Sequence, residues 1–213
     1  MSGLRQRKKD ETRARISNVG TFLFFQHGFD NVTMTQIADA ANVSRMTVFN
    51  YFRRKEEIFF DRQPEAIALL TTAILERPRG ATVLQSLRAL ILGLLSRGHP
   101  FVAVSPGVAG FWKTVADSDA LRRAAGELLQ ELQAHIADAL AKTAGLPVRD
   151  PTAALAAAMI LSVHRTAYED AIRRLRDGDS VETVRRRQRE LVHKGFDMLE
   201  AALARTPFGR ARG

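Results

Sequence analysis

The sequence predicts an all-α protein, on the basis of three observations. Along most of the chain apolar residues recur at intervals of three or four, as in Leu84, Leu87, Ile91 and Leu94, and this spacing builds one face of a helix. Short clusters that contain Gly or Pro interrupt the helical pattern at 77–80, 98–100, 105–107, 145–147 and 177–179. No stretch of the sequence alternates apolar and polar residues as a half-buried strand does. We therefore expect helices joined by short turns.

The composition is that of a globular protein with a basic surface. Hydrophobic residues make up 46% of the 213 residues and charged residues 26%, which is sufficient for a full core. The formal net charge of +9 favours an anionic partner. There is no cysteine, which excludes disulfides and thiolate chemistry. The basic start lacks the apolar segment of a secretory signal, and the longest apolar run, at about 153–161, is too short to cross a bilayer. We expect a cytoplasmic protein with no membrane partner.

The segment 33–55 carries the signals of two short helices joined by a tight turn. Thr33 and Gln36 have the spacing of a capping box, which starts a helix that runs to about Ala41. Asn42 tolerates the left-handed backbone conformation that the turn requires, and Ser44 is a good N-cap for the second helix. This is the pattern of a helix-turn-helix, in which the second helix is presented to the major groove of DNA.

The outer face of the second helix, at about 45–51, carries groups suited to DNA. Arg45 can pair with guanine and Asn50 with adenine, and Tyr51 and Lys55 can donate to backbone oxygens. Val48 and Phe52 fall on the inner face. The predicted DNA-binding residues are Thr35, Gln36, Ser44, Arg45, Met46, Thr47, Phe49, Asn50, Tyr51 and Lys55.

The pattern T-x-T-x-IA-x-AA-x-VS-x-x-T-x-x-x-YF-x-x-KEE resembles the TetR family of bacterial repressors over roughly Thr12 to Phe60. The resemblance implies an all-helical homodimer with an N-terminal three-helix DNA-binding head. It also implies a C-terminal body that binds a small effector and alters the spacing of the two heads. The chain departs from the family pattern at Met46, where a small residue is frequent, at Phe49, where tyrosine is common, and at Arg54, where a small N-capping residue usually precedes KEE. We expect the helix after Arg54 to begin with a weak cap.

The domain organisation predicted from the sequence is contiguous. A basic flexible arm is expected at 1–9, the DNA-binding domain at 10–55, the effector-binding and dimerisation body at 56–206, and a disordered tail at 207–213. Pro64 marks a kink or a restart of a helix, and the sequence leaves both possibilities open. Phe22 and Phe25 lie off the apolar stripe of the first helix, which leaves packing on the body or exposure open, and of the two we expect burial.

Two functional surfaces are predicted in the body. The last two helices, capped by Asp150 and Ser180, are expected to pair with those of a second subunit in a four-helix bundle. The predicted dimerisation residues are Leu155, Met159, Ser162, Val184, Leu191, Val192, Gly195, Phe196 and Leu199. An effector pocket needs apolar and aromatic walls with a few polar groups. Its candidate residues are Phe101, Phe111, Trp112, His135, Met159, His164 and Tyr168.

The sequence offers no catalytic or metal-binding motif. The five histidines are scattered without a second ligand at helical spacing, and no nucleophile elbow or phosphate-cradling loop is present, so we expect neither an enzyme nor a cofactor. The function predicted is that of a repressor released from a palindromic operator by a small-molecule effector. Two alternatives stay open: an effector-independent or activating DNA-binding regulator, and a helical ligand-binding protein with a vestigial head.

Overall fold

A computed structural model describes residues 2–211 of the chain. This part of the chain is helical and contains no strand, which confirms the predicted all-α class. It holds ten α-helices: α1 (Ser2–His27), α2 (Met34–Ala40), α3 (Arg45–Tyr51), α4 (Lys55–Phe59), α5 (Gln63–Leu75), α6 (Val83–Ser96), α7 (Pro106–Asp117), α8 (Asp119–Ala144), α9 (Pro151–Arg176) and α10 (Val181–Leu203).

The helices form two compact units. The head unit consists of the residues up to Gln63 together with Phe111–Gly126, and the body unit consists of Pro64–Gly110 and the residues from Glu127 onward. The sequence predicts contiguous segments at 10–55 and 56–206, whereas the head unit also takes in α4, the end of α7 and the start of α8. The physical reason is burial, since Val115 and Leu121 pack in the same apolar cluster as the residues of α1 to α4.

Both ends of the described chain contain helix in segments where the sequence predicts a flexible arm and a disordered tail. The segment expected to be a flexible arm continues α1 back to Ser2, where Gln6 donates to Asp10 and Arg7 pairs with Glu11, each at 2.9 Å and one helical turn apart. In the segment expected to be a disordered tail, Pro207–Gly209 form a turn of 3₁₀ helix with a buried Phe208. Residues 1, 212 and 213 lie outside the described residues.

The core of the head unit brings the two helices of the predicted helix-turn-helix onto α1. Ile37 of α2, Val48 of α3 and Ile58 of α4 are fully buried in one cluster with Ile16. At Gly20 of α1 an added Cβ would lie 2.6 Å from Cγ2 of Ile58, so α1 and α4 approach each other closely at this point. In contrast, Phe22 of α1 is 61% exposed and Phe25 is 47% exposed, so the expectation that they are buried is wrong.

The start and stop signals of α2 and α3 are confirmed. Thr33 and Gln36 form the reciprocal capping box, and the backbone of Asn42 is left-handed with φ of 52°. The Ser44 hydroxyl accepts from the Thr47 N–H at 3.0 Å. Arg54 provides no side-chain cap for α4, as the sequence predicts.

After α4 ends, a separate helix begins, so Pro64 does not lie at a kink inside one continuous helix. The helix α4 ends after five residues, and α5 begins at Gln63 with Pro64 in its first turn. The missing N–H of a proline costs nothing at that position, because the first N–H groups of a helix have no intrahelical partner. The alternative of a kink inside one continuous helix is therefore excluded.

The body unit is organised around α6, α9 and α10. The stripe that contains Leu84, Leu87 and Ile91 is buried as predicted, and the Asp150 carboxylate caps α9 by accepting from Thr152 and Ala153. A close approach joins α9 to α10, because a Cβ added at Gly195 would lie 2.4 Å from Cγ1 of Val163. Glycine is therefore required at position 195 because there is no space for a Cβ, and not because of its backbone conformation, which is that of an ordinary helix.

We predict that Gly195→Ala destabilises the protein by about 1–3 kcal/mol, because the new methyl group would overlap the β-branched Val163, whose rotamer is restricted in a helix. The measurement is the free energy of unfolding in urea. The matched control is Gly110→Ala in α7, where nothing lies within 4 Å of the added Cβ, so that the change should be neutral or stabilising by up to about 1 kcal/mol. Equal stabilities of the two variants would contradict the close approach.

Candidate nucleic-acid interface

The outer surface of α3 presents four side chains. Arg45, Met46, Phe49 and Asn50 are exposed, while Val48 on the opposite side is fully buried. We call these four residues the reading face. They form one patch because Phe49 lies four positions from Arg45 and three from Met46, and Asn50 lies four positions from Met46. Two of them are large and apolar, with Met46 69% exposed and Phe49 38% exposed. The reading face thus combines a cation and an amide with two hydrophobic groups.

Within the reading face Arg45 lies over Phe49. The guanidinium carbon is 5.4 Å from the centroid of the phenyl ring, one helical turn further along. Such a cation–π contact restricts the side chain of Arg45 while leaving the N–H groups at the edge of the guanidinium available to a ligand.

The hydroxyl and amide groups that flank the reading face are engaged in capping. The hydroxyls of Ser44 and Thr47 hydrogen bond to each other at 2.8 Å, and Oε1 of Gln36 accepts from the backbone N–H of Thr33 at 2.8 Å. Thr35 is exposed at the start of α2, and Tyr51 is partly buried at the end of α3. Of the ten predicted DNA-binding residues, the structure therefore brings four together in an exposed patch and gives Ser44, Thr47 and Gln36 a structural task.

Lys55 is directed at the protein itself. Its ammonium donates to the carbonyl oxygens of Phe29 at 2.8 Å, Val32 at 3.2 Å and Asp30 at 3.4 Å, and it lies 4.4 Å from the centroid of the Phe29 ring. These carbonyls belong to the turn between α1 and α2. An ammonium has three donors, and all three are directed at this turn. Lys55 is therefore bound within the head, and its contact with DNA stays a prediction.

Arg13 of α1 is a residue that the sequence analysis missed. Its guanidinium donates to the backbone oxygen of Tyr51 at 3.3 Å, pairs with Asp61, and lies 4.4 Å from the centroid of the Phe52 ring. The Tyr51 oxygen is one of the carbonyls at the C-terminal end of α3, where a cation is favourable. Arg13 thus holds the end of the recognition helix. No local pattern could reveal it, because its partners lie about forty to fifty positions away in the sequence.

A second contact holds the turn between α1 and α2. The hydroxyl of Ser118, at the corner between α7 and α8, donates to Oδ1 of Asp30 at 2.9 Å, and Ser118 is buried. Together with Lys55, Ser118 fixes the turn that precedes the helix-turn-helix.

The predicted effector residues are divided between the two units. Phe111 and Trp112 belong to the head unit, where the ring of Phe111 stacks on that of Phe59 at 4.5 Å and meets Trp112 edge-on at 5.5 Å. Trp112 packs against the apolar cluster of the head unit, and its role in the wall of an effector pocket stays a prediction. His135 is exposed on α8.

The remaining effector candidates lie in the body unit. The Tyr168 hydroxyl donates to the carbonyl of Pro100 at 3.2 Å, and the His164 ring lies 5.7 Å from the Tyr168 ring. Burial lowers the pKa of His164 to about 4, so its imidazole is neutral at physiological pH. Gln188, which the sequence analysis missed, is buried and donates to the carbonyl of Val102 at 2.7 Å. The signal for Gln188 was its place between Val184 and Val192 on one helical stripe.

The predicted dimerisation residues divide into two sets. Val184, Val192 and Phe196 are buried inside the chain, so they are not available to a second subunit. An apolar groove of about 300 Å³ lies on the outer surface of α9 and α10. We call it the α9–α10 groove, and it is lined by Met159, Ser162, Val163, Gly195, Met198, Leu199 and Ala202.

The two helices that form this groove also carry two exposed apolar side chains. Leu155 is 62% exposed on α9 and Met198 is 65% exposed on α10. Met198 was missed, although its spacing of three from Gly195 and seven from Leu191 was the signal that would have revealed it.

The part of the chain that the structure describes contains neither a membrane span nor a cluster of metal ligands. None of its helices combines the length and the hydropathy of a membrane span. No group of three or more His, Cys, Asp or Glu side chains within residues 2–211 is arranged to hold a metal ion.

The head resembles known proteins in sequence. Residues 18–61 match the family described as "Bacterial regulatory proteins, tetR family". Over these residues the head is similar to that family. The HTH-type transcriptional regulator TcmR of Streptomyces glaucescens is 33% identical over 95 residues, which are 45% of this chain and 42% of TcmR. A second curated relative aligns over 26% of its length, so the matches span less than half of these relatives.

Solved structures of transcriptional repressors share the fold of the chain. NalD of Pseudomonas aeruginosa, described as the secondary repressor of the MexAB-OprM multidrug efflux pump, is 20% identical with a TM-score of 0.57, covering 87% of this chain and 97% of NalD. The FadR repressor of Thermus thermophilus in complex with lauroyl-CoA is 24% identical with a TM-score of 0.52, covering 88% and 92%. At these identities the likeness concerns the fold alone.

We predict that Lys55→Met lowers the free energy of unfolding by about 1–3 kcal/mol, because the three carbonyl oxygens of the turn lose a charged donor. The measurement is the midpoint of denaturation in urea. Lys9→Met removes an equal charge from an exposed position of α1 and should change the stability by less than about 0.5 kcal/mol. A Lys55→Met protein as stable as the wild type would contradict the internal role.

Proposed function

We propose that the chain is a homodimeric transcriptional regulator that binds a two-fold-symmetric DNA operator through α3 of each subunit. The observation that carries the proposal is the reading face, an exposed patch with a stacked arginine and an amide on a short helix anchored at both ends. Arginine and asparagine are the side chains that pair bidentately with guanine and adenine in the major groove. A vestigial head would have no reason to keep this patch exposed on an anchored helix.

The N-terminal part of α1 supports binding to DNA phosphates. Arg5, Lys8 and Lys9 are exposed and share one side of the helix, whereas Arg7 is paired with Glu11. The formal net charge of +9 acts in the same direction. In the proposed complex α1 supplies sequence-independent affinity and α3 supplies discrimination between sequences.

The α9–α10 groove supports a dimer. Leu155 and Met198 are exposed apolar side chains beside an apolar groove, and such a surface is typical of a subunit interface. A two-fold axis through this surface would pair α9 and α10 with their mates in a four-helix bundle. Two heads related by this axis would read half-sites about 34 Å apart, or a modest extension of that.

We propose further that a small, largely apolar effector binds in the body and releases the operator. The body contains a neutral imidazole at His164 and buried polar groups at Tyr168 and Gln188, which could orient a ligand without requiring it to be charged. FadR, a protein of this fold, was solved with lauroyl-CoA, a ligand that includes a long apolar acyl chain. Release would be a population shift, limited by the difference between the affinities of the effector for the two states.

We predict that the purified protein protects a two-fold-symmetric site on DNA beside its own gene, in the presence of excess unrelated DNA at near-physiological salt. On this site Arg45→Ala should weaken specific binding by about 10- to 100-fold, because one bidentate base contact is lost. Arg123→Ala removes the same charge from an exposed position of the head unit and serves as the control.

The measurement is the dissociation constant on specific and non-specific duplexes, determined for the wild type and both variants. Equal losses on all sequences for Arg45→Ala would remove Arg45 from the base-reading set. If neither the flanking DNA nor selection from random duplexes yields a site, the proposed function is wrong.

We predict that Leu155→Glu and Met198→Glu convert a dimer into a folded monomer, since each places a charge in the apolar interface. The measurement is sedimentation equilibrium, with circular dichroism to check the fold. Val148→Glu adds the same charge at an exposed position in the turn before α9 and should leave the dimer intact. Dimeric Glu variants would place the interface elsewhere, and a monomeric wild type would contradict the proposed dimer.

A further inference from the structure

We propose that α3 reads a guanine next to a pyrimidine that carries a C5-methyl group, with Arg45 on the guanine and Met46 on the methyl. This inference rests on the proposed function and specifies which chemistry of the operator the reading face recognises. It is carried by the exposed apolar groups on that face and by the stacked geometry of Arg45.

The apolar half of the reading face is the first observation. A side chain as large as Met46 at 69% exposure gains nothing from water, and Phe49 beside it is also exposed. Among the groups that base pairs present in the major groove, the C5-methyl is the apolar one, and the others are hydrogen-bond donors and acceptors. A methionine is flexible and polarisable, so it can follow the shape of a methyl group. The matching ligand for Met46 is therefore a C5-methyl pyrimidine.

The stacking of Arg45 is the second observation. With its guanidinium over the Phe49 ring, Arg45 is restrained before DNA binds, so less side-chain entropy is lost in the complex. Its planar edge matches the O6 and N7 acceptors of guanine. Phe49 has no hydroxyl to donate to a phosphate, and the structure assigns it the role of a platform for Arg45.

The spacing along the helix brings the two contacts together. Arg45 and Met46 are consecutive, so they are separated by about 1.5 Å along the helix axis, whereas successive base pairs are about 3.4 Å apart. Phe49 lies three and four positions from them and completes the patch. The guanine and the methyl-bearing pyrimidine are therefore expected in neighbouring base pairs. Ser44 and Thr47, whose hydroxyls are bonded to each other, leave Arg45, Met46 and Asn50 as the readers of base edges.

The test begins with selection from two pools of random duplexes by the full-length wild-type protein. One pool contains ordinary cytosine, and the other contains 5-methylcytosine in its place. Enrichment of a guanine beside a thymine from the first pool would assign the methyl to thymine. Enrichment of a guanine beside 5-methylcytosine from the second pool alone would assign it to the modified base. Either result supports the inference.

Base analogues in the selected site then test the two contacts separately. Replacing the thymine by deoxyuridine removes only the methyl and should weaken wild-type binding by about threefold to fivefold. If the selected site contains 5-methylcytosine, replacing that base by cytosine removes the methyl in the same way. Replacing the guanine by 7-deazaguanine removes N7 and should weaken wild-type binding by about tenfold or more.

Variants link each analogue to its side chain. Met46→Ala should bind the methylated and unmethylated sites equally, and Arg45→Ala should bind guanine and 7-deazaguanine equally. Phe49→Leu should reduce the penalty of 7-deazaguanine, because it removes the ring under Arg45, whereas Phe49→Tyr should retain it. Arg123→Ala should show the full wild-type penalties for both analogues.

The inference and the proposed function fail in different ways. If neither pool yields an enriched duplex, the proposed function is wrong. If a two-fold site is enriched but removal of the methyl has no effect, or if Met46→Ala retains the full penalty, the inference is overturned and the regulatory function stands.

Discussion

The position of the recognition helix depends on cations that the head directs inward. Arg13 of α1 binds the last carbonyl of α3 and the ring of Phe52, and Lys55 of α4 binds the turn that precedes α2. Both cations bond to backbone oxygens, so they fix the path of the backbone. They place no constraint on the identity of the exposed side chains of α3. Base reading tolerates little displacement, because a bidentate contact requires donors and acceptors within hydrogen-bond distance of each other. These two anchors are therefore as necessary to recognition as the side chains that would meet the bases.

A group of aromatic rings around Phe59 gives the head a second internal constraint. Phe59 stacks on Phe111 and contacts the edges of Phe29 and Phe60. Because α7 begins in the body unit and ends in the head unit, Phe111 places the end of that helix in the core beside α4. A close-packed core responds to displacement in discrete rearrangements and not by gradual deformation. Any shift of the end of α7 must break the stack on Phe59 or move α4 with it.

The sequence predicted the features that are decided locally. The capping box of Thr33 and Gln36, the left-handed Asn42 and the N-cap Ser44 depend on neighbours within four residues, and the structure has all of them. The apolar stripes of the helices were predictable for the same reason, since a helix imposes its period on its own sequence.

The tasks of individual side chains were harder to predict, because their partners are distant in the sequence. Lys55 carries the same charge whether it meets a phosphate or a carbonyl, and only the folded chain shows that it meets Phe29, Asp30 and Val32. The segment of Phe111 and Trp112 joins the head although it follows the body's first helices.

The distribution of charge in the structure explains why the net charge alone could not locate an interface. Arg13 and Lys55 are bound within the head, and in the body Arg88 pairs with Asp197 at 2.8 Å and Arg174 with Asp170 at 2.8 Å. Within the reading face Arg45 is the only cation, and its neighbours are apolar or neutral. Electrostatic attraction from a single cation is too weak and too dependent on salt to distinguish sequences. Discrimination on this face must therefore come from the shape and hydrogen-bonding pattern of the bases, which is the reason that Met46 and Phe49 matter as much as Arg45.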